Sequence, residues 1–328
     1  MQWGKANQTI RVIAMLSRKQ MRRLIKSVYG ANNKYSKELM RLYKRASRQI
    51  QGEISTFLSS KASWSGKPSK DDLDDARREL ERISNEDVSS LVNGAIAMIT
   101  VGHPKNSDLV TARISVPMIN VAKQQHTQLR QMAGQIPQKV QKISHVQQSV
   151  TPQYHQLPPN YDLMLQRSAS KAVDGYSSSQ NNINSNIQSV ITRIKEVAQQ
   201  ASQSSDSSIN WPKRLEKILT GNNVSNGASG TAQRIIRTEA CRDLNNSTID
   251  DYQARGVSQY RFMSLEAENS CSECTDIDGN TYDVDDAEEG VNLPPMHPNC
   301  QCWIVEVHDS DADDLPSVDD MMDDDDFE

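Results

Sequence analysis

Apolar residues recur at helical spacing along most of this chain. Between Ile10 and Leu58 the series Ile13, Leu16, Leu24, Val28, Tyr35, Leu39, Leu42, Ile50, Ile54 and Phe57 predicts one long helix, or two broken at Gly30-Ala-Asn-Asn. A stretch rich in Ser, Gly, Lys and Pro follows, from Ser59 to Ser69. Helices are then predicted over residues 71–83 and 86–100, with Ser69 and Asn85 placed to cap them, and a turn at Gly102-His-Pro-Lys-Asn. Residues 119–160 are Gln-rich and hold Pro137, Pro152, Pro158 and Pro159, each of which breaks a helix it falls inside. Part of that segment is therefore expected to be linker or loosely ordered surface.

Farther along, Ile183, Ile187, Val190, Ile191, Ile194 and Val197 form a single stripe on an otherwise Asn/Ser/Gln helix over 181–201, which needs a partner helix. A polar spacer, 202–208, marks the expected domain boundary. Asn210-Trp-Pro212 opens a short helix ending before Gly221, and a helix over 231–255 is closed by Gly256. Residues 257–264 and 302–307 alternate as strands do, and Asp278-Gly279 supplies a tight turn. The acidic stretch after His308 has little to bury and is expected to be disordered.

Composition sharpens this. Only 36% of the 328 residues are hydrophobic and 5% aromatic, so long helices with thin apolar stripes are expected rather than one deep core. The fold class expected is mainly α: a long helical N-terminal region (1–205), a small α+β zinc-stapled C-terminal module (206–308) and an acidic disordered tail (309–328). The N-terminal residues lack the pattern of a secretory signal, and the longest apolar stretch, Leu91 to Val101, is interrupted by Asn93 and Gly94. The expectation is a soluble, intracellular chain with reduced thiols and no membrane partner.

The net charge of −5 hides a strong polarity. Residues 1–60 carry 13 Lys+Arg against Glu38 and Glu53, whereas after Arg261 there is no Lys or Arg and 22 Asp+Glu follow. Arg18, Lys19, Arg22, Arg23, Lys26, Arg41, Lys44, Arg45 and Arg48 lie on the polar side of the first helical segment. They form either a plain solvated face or one that meets DNA phosphates or an acidic protein surface.

The candidate chemistry sits near the C-terminus. Cys271-Ser-Glu-Cys274 is followed by His297-Pro-Asn-Cys300-Gln-Cys302. A CxxC pair can aim both sulfurs at one tetrahedral centre, and His297 with Cys300 or Cys302 can close it from a second turn, which points to structural zinc. Five candidates for four positions leave either Cys300 or Cys302 spare, and Cys302, heading an apolar strand, also suits a core.

Catalytic readings fit less well. Cys271-Ser-Glu273 supplies the ligand-x-Glu of a deaminase, but Pro298-Asn-Cys300-Gln-Cys302 is not its Pro-Cys-x-x-Cys half. No second histidine stands near His297 to serve a zinc nuclease as base. Arg237 and Glu239 with Glu266-Ala-Glu268 share residue types with ADP-ribosyltransferases, at too short an interval. In the acidic loop from Asp276, Gly279 falls at the fourth position of a calcium loop that needs glycine at the sixth.

Taken in order, Arg237-Thr238-Glu239, Tyr252, Gly256-Val257, Cys271 and Cys274, Asp278-Gly279, and Pro294-Pro-Met-His297-Pro-Asn-Cys300-Gln-Cys302 resemble the phage Mu protein F-like family of minor head proteins, over roughly residues 210–307. The resemblance implies a minor capsid, or head morphogenesis, protein of a tailed bacteriophage. Such a protein lies inside the capsid near the portal after assembly in the host cytoplasm, with portal and major capsid or scaffolding protein as partners. It implies a structural role rather than an enzyme, with Arg237, Thr238 and Glu239 as a structural motif. One departure is Gln301, where the family often carries a basic residue.

Overall fold

The computed structural model describes residues 3–150, 157–166, 177–203, 210–221, 226–264 and 271–307, and the side chains of all these except 3–23, 31–32, 147, 150 and 177–180. The acidic tail, Pro152, Glu266, Glu268 and most of the 202–208 spacer lie outside the described residues. The chain is mainly helical, with one small sheet, and forms two compact units. One comprises Tyr29–Gly134 and Lys171–Ala240, the other Met1–Val28, Gln135–Ser170 and Cys241–Glu328.

Helix α1, Trp3–Ser59, is continuous. Of the two readings, one long helix or two broken at Gly30, the first is the one found. An exposed mid-helix glycine costs only about 0.5–1 kcal/mol relative to alanine, and buried Leu24 and Val28 before it, with Leu39, Tyr43, Ile50 and Ile54 after it, offset that. Helix α2, Lys70–Ile83, begins where Ser69 accepts from the Asp72 amide at 3.1 Å, as the sequence predicts. Asn85 instead precedes a 3-10 turn, Glu86–Val88, makes no side-chain cap bond, and donates to Asp87 at 3.3 Å. Helix α3, Ser89–Thr100, then packs against α2.

Helix α4, Asn106–Val150, takes in most of 119–160, so any linker there is confined to residues after 150, and the break expected at Pro137 does not occur. It passes through Pro117 and Pro137, both buried. A helix-interior proline forfeits one hydrogen bond and costs about 3 kcal/mol. Near Pro137 that cost is offset by burial of Leu129, Met132, Ala133, Ile136 and Val140. Its glutamines are partly internal: buried Gln125 donates to the Tyr43 hydroxyl at 3.1 Å, and Gln128 to Glu38 at 3.1 Å. Buried His126 meets Asn184 at 3.1 Å, and burial lowers its pKa.

Helix α5, Ser177–Gln203, buries the predicted stripe, Ile183 to Val197, and packs against α3 and α6, the partners its stripe requires. Helix α6, Trp211–Thr220, has the predicted start and stop: Asn210 accepts from the Lys213 amide at 3.1 Å and Gly221 ends it at φ 71°. Gly221 also admits Asn226 so closely that an added Cβ would lie 2.3 Å from its carbonyl oxygen, a space only glycine leaves.

Helix α7, Gly227–Arg255, begins four residues before the predicted helix over 231–255 and stops at Gly256, φ 73°. Strand β1 is Gln259–Met263 and β3 is Trp303–Glu306, both predicted; β2, Thr281–Asp283, is too short to have been read. The sheet is antiparallel in the order β2-β1-β3, pairing Tyr260 with Tyr282 on one side and with Glu306 on the other. Tyr260 packs with Ile249, Tyr252, Val284, Leu293 and Ile304, joining α7 to the sheet.

Beneath this core lies a charged group. The Arg255 guanidinium bonds Asp251 at 2.8 Å and Glu306 at 2.7 Å, with side-chain exposures of 5%, 3% and 1% respectively. Asp251 also accepts from Ser144 at 2.6 Å and from Tyr161. These bonds tie the end of α7 to the end of β3.

Candidate metal centre

Two turns present the cysteines and histidine. The first is the short helix α8, Ser272–Asp276. Cys271 caps it, its sulfur accepting from the Cys274 amide at 3.4 Å and its carbonyl from the Thr275 amide at 3.1 Å. The turn is tied to the sheet through Phe262, whose amide donates to the Asn280 carbonyl and whose carbonyl accepts from Gly279, both at 2.9 Å. The predicted Asp278-Gly279 turn thus leads from α8 into β2 and is bonded to β1, with Gly279 at φ 77°.

The second turn runs from His297 to Cys300. The Cys300 amide donates to the His297 carbonyl at 3.1 Å, and Asn299 takes φ 72°, a conformation asparagine tolerates. His297 Nδ1 lies 3.0 Å from the Pro298 carbonyl oxygen. A carbonyl only accepts, so Nδ1 carries the proton, which leaves Nε2 as the nitrogen available to a metal. Nε2 lies 3.3 Å from Cys274 Sγ.

All five sequence-predicted ligands come together, in two triads that share Cys274. The ligand atoms of Cys271, Cys274 and His297 lie within 4.8 Å of one another, as do those of Cys274, Cys300 and Cys302. A tetrahedral ion with bonds of about 2.3 Å to sulfur spaces its sulfurs about 3.8 Å apart. The donor set therefore suits zinc in chemistry and in scale. Cys274, Cys300 and Cys302 are buried, while Cys271 and His297 are half-buried.

Cys241 belongs to this neighbourhood and was not predicted to. It lies on α7, fully buried among Phe262, Cys274, Cys300 and Cys302, with its thiol 3.4 Å from the Cys302 carbonyl. Asn245, one turn on, donates to the carbonyls of Cys241 at 2.8 Å and Cys302 at 3.1 Å. Only position marks Cys241 in the sequence, one helical turn before a polar residue on a buried face. All five cysteines are free thiols.

The electrostatics are those of crowded sulfur. Burial raises the Cys274 thiol to about 12. Cys302 is also raised, first by its hydrogen bond to Cys300 and then by burial, while Cys300 is lowered by hydrogen bonds from Cys241 and Cys302. Several thiolates cannot share such a pocket without a cation between them.

The other predicted residues lie elsewhere. Arg237, Thr238 and Glu239 are half-buried on α7, with Thr238 donating back to the Arg234 carbonyl at 2.8 Å. Glu273, the residue a deaminase would use, is exposed. Asp278 accepts from the Ser264 amide at 2.5 Å and so closes a hairpin. Lys26, Arg41, Lys44, Arg45 and Arg48 are exposed on α1; the side chains of Arg18, Lys19, Arg22 and Arg23 lie outside the described residues. No helix among the described residues is long and apolar enough to cross a membrane.

Comparison with known proteins gives one result. Residues 186–305 match the family model described as Phage Mu protein F like protein. The match begins within α5, upstream of the 210–307 expected, and takes in the whole cysteine and histidine cluster. No curated protein and no solved structure matches the chain.

Proposed function

From a segment, residues 186–305, that is phage Mu protein F-like and so of a phage head morphogenesis family, we propose that the chain is a minor head protein of a tailed bacteriophage. In this reading it binds the portal and the major capsid or scaffolding protein during procapsid assembly and stays inside the capsid near the portal. The helical region, residues 1–205, carries the assembly contacts, and residues 206–308 form a module stapled by zinc. The observation that carries the reading is the ordered set from Arg237 to Cys302 within the family match.

The role is structural. Cys271, Cys274 and His297 would hold the ion, with Cys300 or Cys302 completing it; so many donors favour a closed site over one with an open catalytic position. Bound zinc supplies a cross-link between the two turns and neutralises the thiolates. The chain contributes the rest: the cap at Cys271, the Nδ1 bond that orients His297, and the α7 groups that fix the Cys302 carbonyl.

The test is co-purification of the tagged chain with portal and procapsid from cells expressing all three. Retention in a few copies per particle is expected. Procapsids that form normally and leave the chain in the unbound fraction would sink the proposal.

A further inference from the structure

Between residues 33 and 49 of α1, eight positions are exposed: Asn33, Lys34, Lys37, Arg41, Lys44, Arg45, Arg48 and Gln49. Six are cations, two are amides, and none is acidic, aromatic or aliphatic. Lys34, Lys37, Arg41, Lys44 and Arg48 follow alternating steps of three and four residues. At 3.6 residues per turn they and Arg45 fall within an arc of about 100°, over a length of about 21 Å. The opposite side of the same segment is buried through Ser36, Leu39, Tyr43, Ala46 and Ser47.

None of the six cations makes an ion pair among the described residues. The one carboxylate between residues 33 and 49, Glu38, is half-buried at the edge of the arc and accepts from Gln128 at 3.1 Å. The helix thus carries a continuous row of positive charge that no carboxylate among the described residues neutralises.

We propose that this face, Lys34 to Arg48, is a binding ridge for the phosphate backbone of duplex DNA. Three features select that occupant. A protein interface needs apolar or aromatic anchors at its centre, and this face exposes none. A single-stranded nucleic acid is held by stacking on aromatic side chains; here Tyr43 is buried and Tyr35 half-buried. Phosphates at close, regular spacing, with no demand for base recognition, match a straight row of unpaired Lys and Arg. The ridge adds Lys34 and Lys37 to the basic residues visible in the sequence, and it does not depend on the head-assembly role.

The experiment is equilibrium binding of the full-length chain to duplex DNAs of unrelated sequence, titrated with salt. Equal affinity for all sequences is expected, with log K falling against log salt at a slope of about −4.5 to −5.4 for five or six phosphates, or about 500- to 2,000-fold in affinity between 50 and 200 mM salt. Replacing Lys34→Gln, Lys37→Gln, Arg41→Gln, Lys44→Gln and Arg48→Gln together should bring the slope to about −1, the share left to Arg45. Lys67→Gln with Lys70→Gln, exposed cations outside the ridge, should leave it unchanged. Glutamine keeps the helix, and a charge-retaining set, Lys34→Arg, Lys37→Arg, Arg41→Lys, Lys44→Arg and Arg48→Lys, should restore the slope if charge is what matters. No binding at 50 mM salt, an unchanged slope in the glutamine variant, or tighter binding of polyglutamate than of DNA would each overturn the proposal.

Discussion

His297 Nε2 stands 3.3 Å from Cys274 Sγ, while its other ring nitrogen is committed to the Pro298 carbonyl. The two residues come from different turns, and Cys274 is the one sulfur common to both triads. Replacement of Cys274 should therefore be more damaging than that of Cys271, which is half-buried at the rim. Cys274→Ser is expected to abolish zinc binding and with it most of the apparent ~10–16 kcal/mol that such sites bring to small folds. Cys271→Ser should retain weakened binding, Cys300 or Cys302 supplying the remaining sulfur. Metal per chain by native mass spectrometry separates the two variants; equal loss would show that Cys274 is not the shared ligand.

Arg255 lies between two buried carboxylates, so truncating it strands both. Arg255→Ala is expected to destabilise by about 3–5 kcal/mol, the range for removing one partner of a buried ion pair. Urea denaturation of the whole chain provides the measurement. A loss below about 1 kcal/mol would mean that water reaches the group.

Gly30 and Gly52 are exposed within α1, and a Cβ at either would meet nothing within 4 Å. If the helix is continuous, Gly30→Ala should stabilise it by about 0.5–1 kcal/mol. A helix broken at Gly30 would instead be destabilised by the same change, so the sign of the shift in melting temperature distinguishes the two.

Tyr43, Tyr161, Tyr252 and Tyr260 have phenols raised above 10, in each case first by burial. Asp251 adds to the effect at Tyr161, and Glu306 at Tyr252. In the folded chain each keeps its proton at a pH where the unfolded chain gives it up. The unfolded state then binds fewer protons, and stability falls as pH rises above about 10. At least four of the nine tyrosines should fail to ionise, by absorbance at 295 nm, until the alkaline unfolding transition; smooth titration of all nine below that transition would contradict the packing.

Local signals carried far where they agreed with burial. The stripe of α5 and the Asn210, Pro212 and Gly221 punctuation of α6 were legible because each obeys a rule acting within one or two turns. Pro137 misled, and Gly30 left the choice between one helix and two open, for the converse reason: their local penalties are a few kcal/mol at most, and burial of neighbouring stripes outweighs them. Strand β2 exists chiefly because β1 offers it an edge, which no three-residue pattern reveals. At the candidate metal centre the spacing of Cys271, Cys274, His297, Cys300 and Cys302 sufficed to show which side chains the fold brings together, since such residue types are rare and clustered. Cys241 and the Arg255–Glu306 pair were invisible because the fold joins residues 51 to 61 positions apart.

The staple is tested most directly by the melting temperature of the chain before and after exhaustive chelation under reducing conditions. A zinc-held pair of turns predicts a marked fall, with loss of the transition belonging to the unit that contains Cys241 to Val307 and recovery on adding back one equivalent of zinc. An unchanged melting temperature would show that the thiols are simply buried and that no ion holds the two turns together.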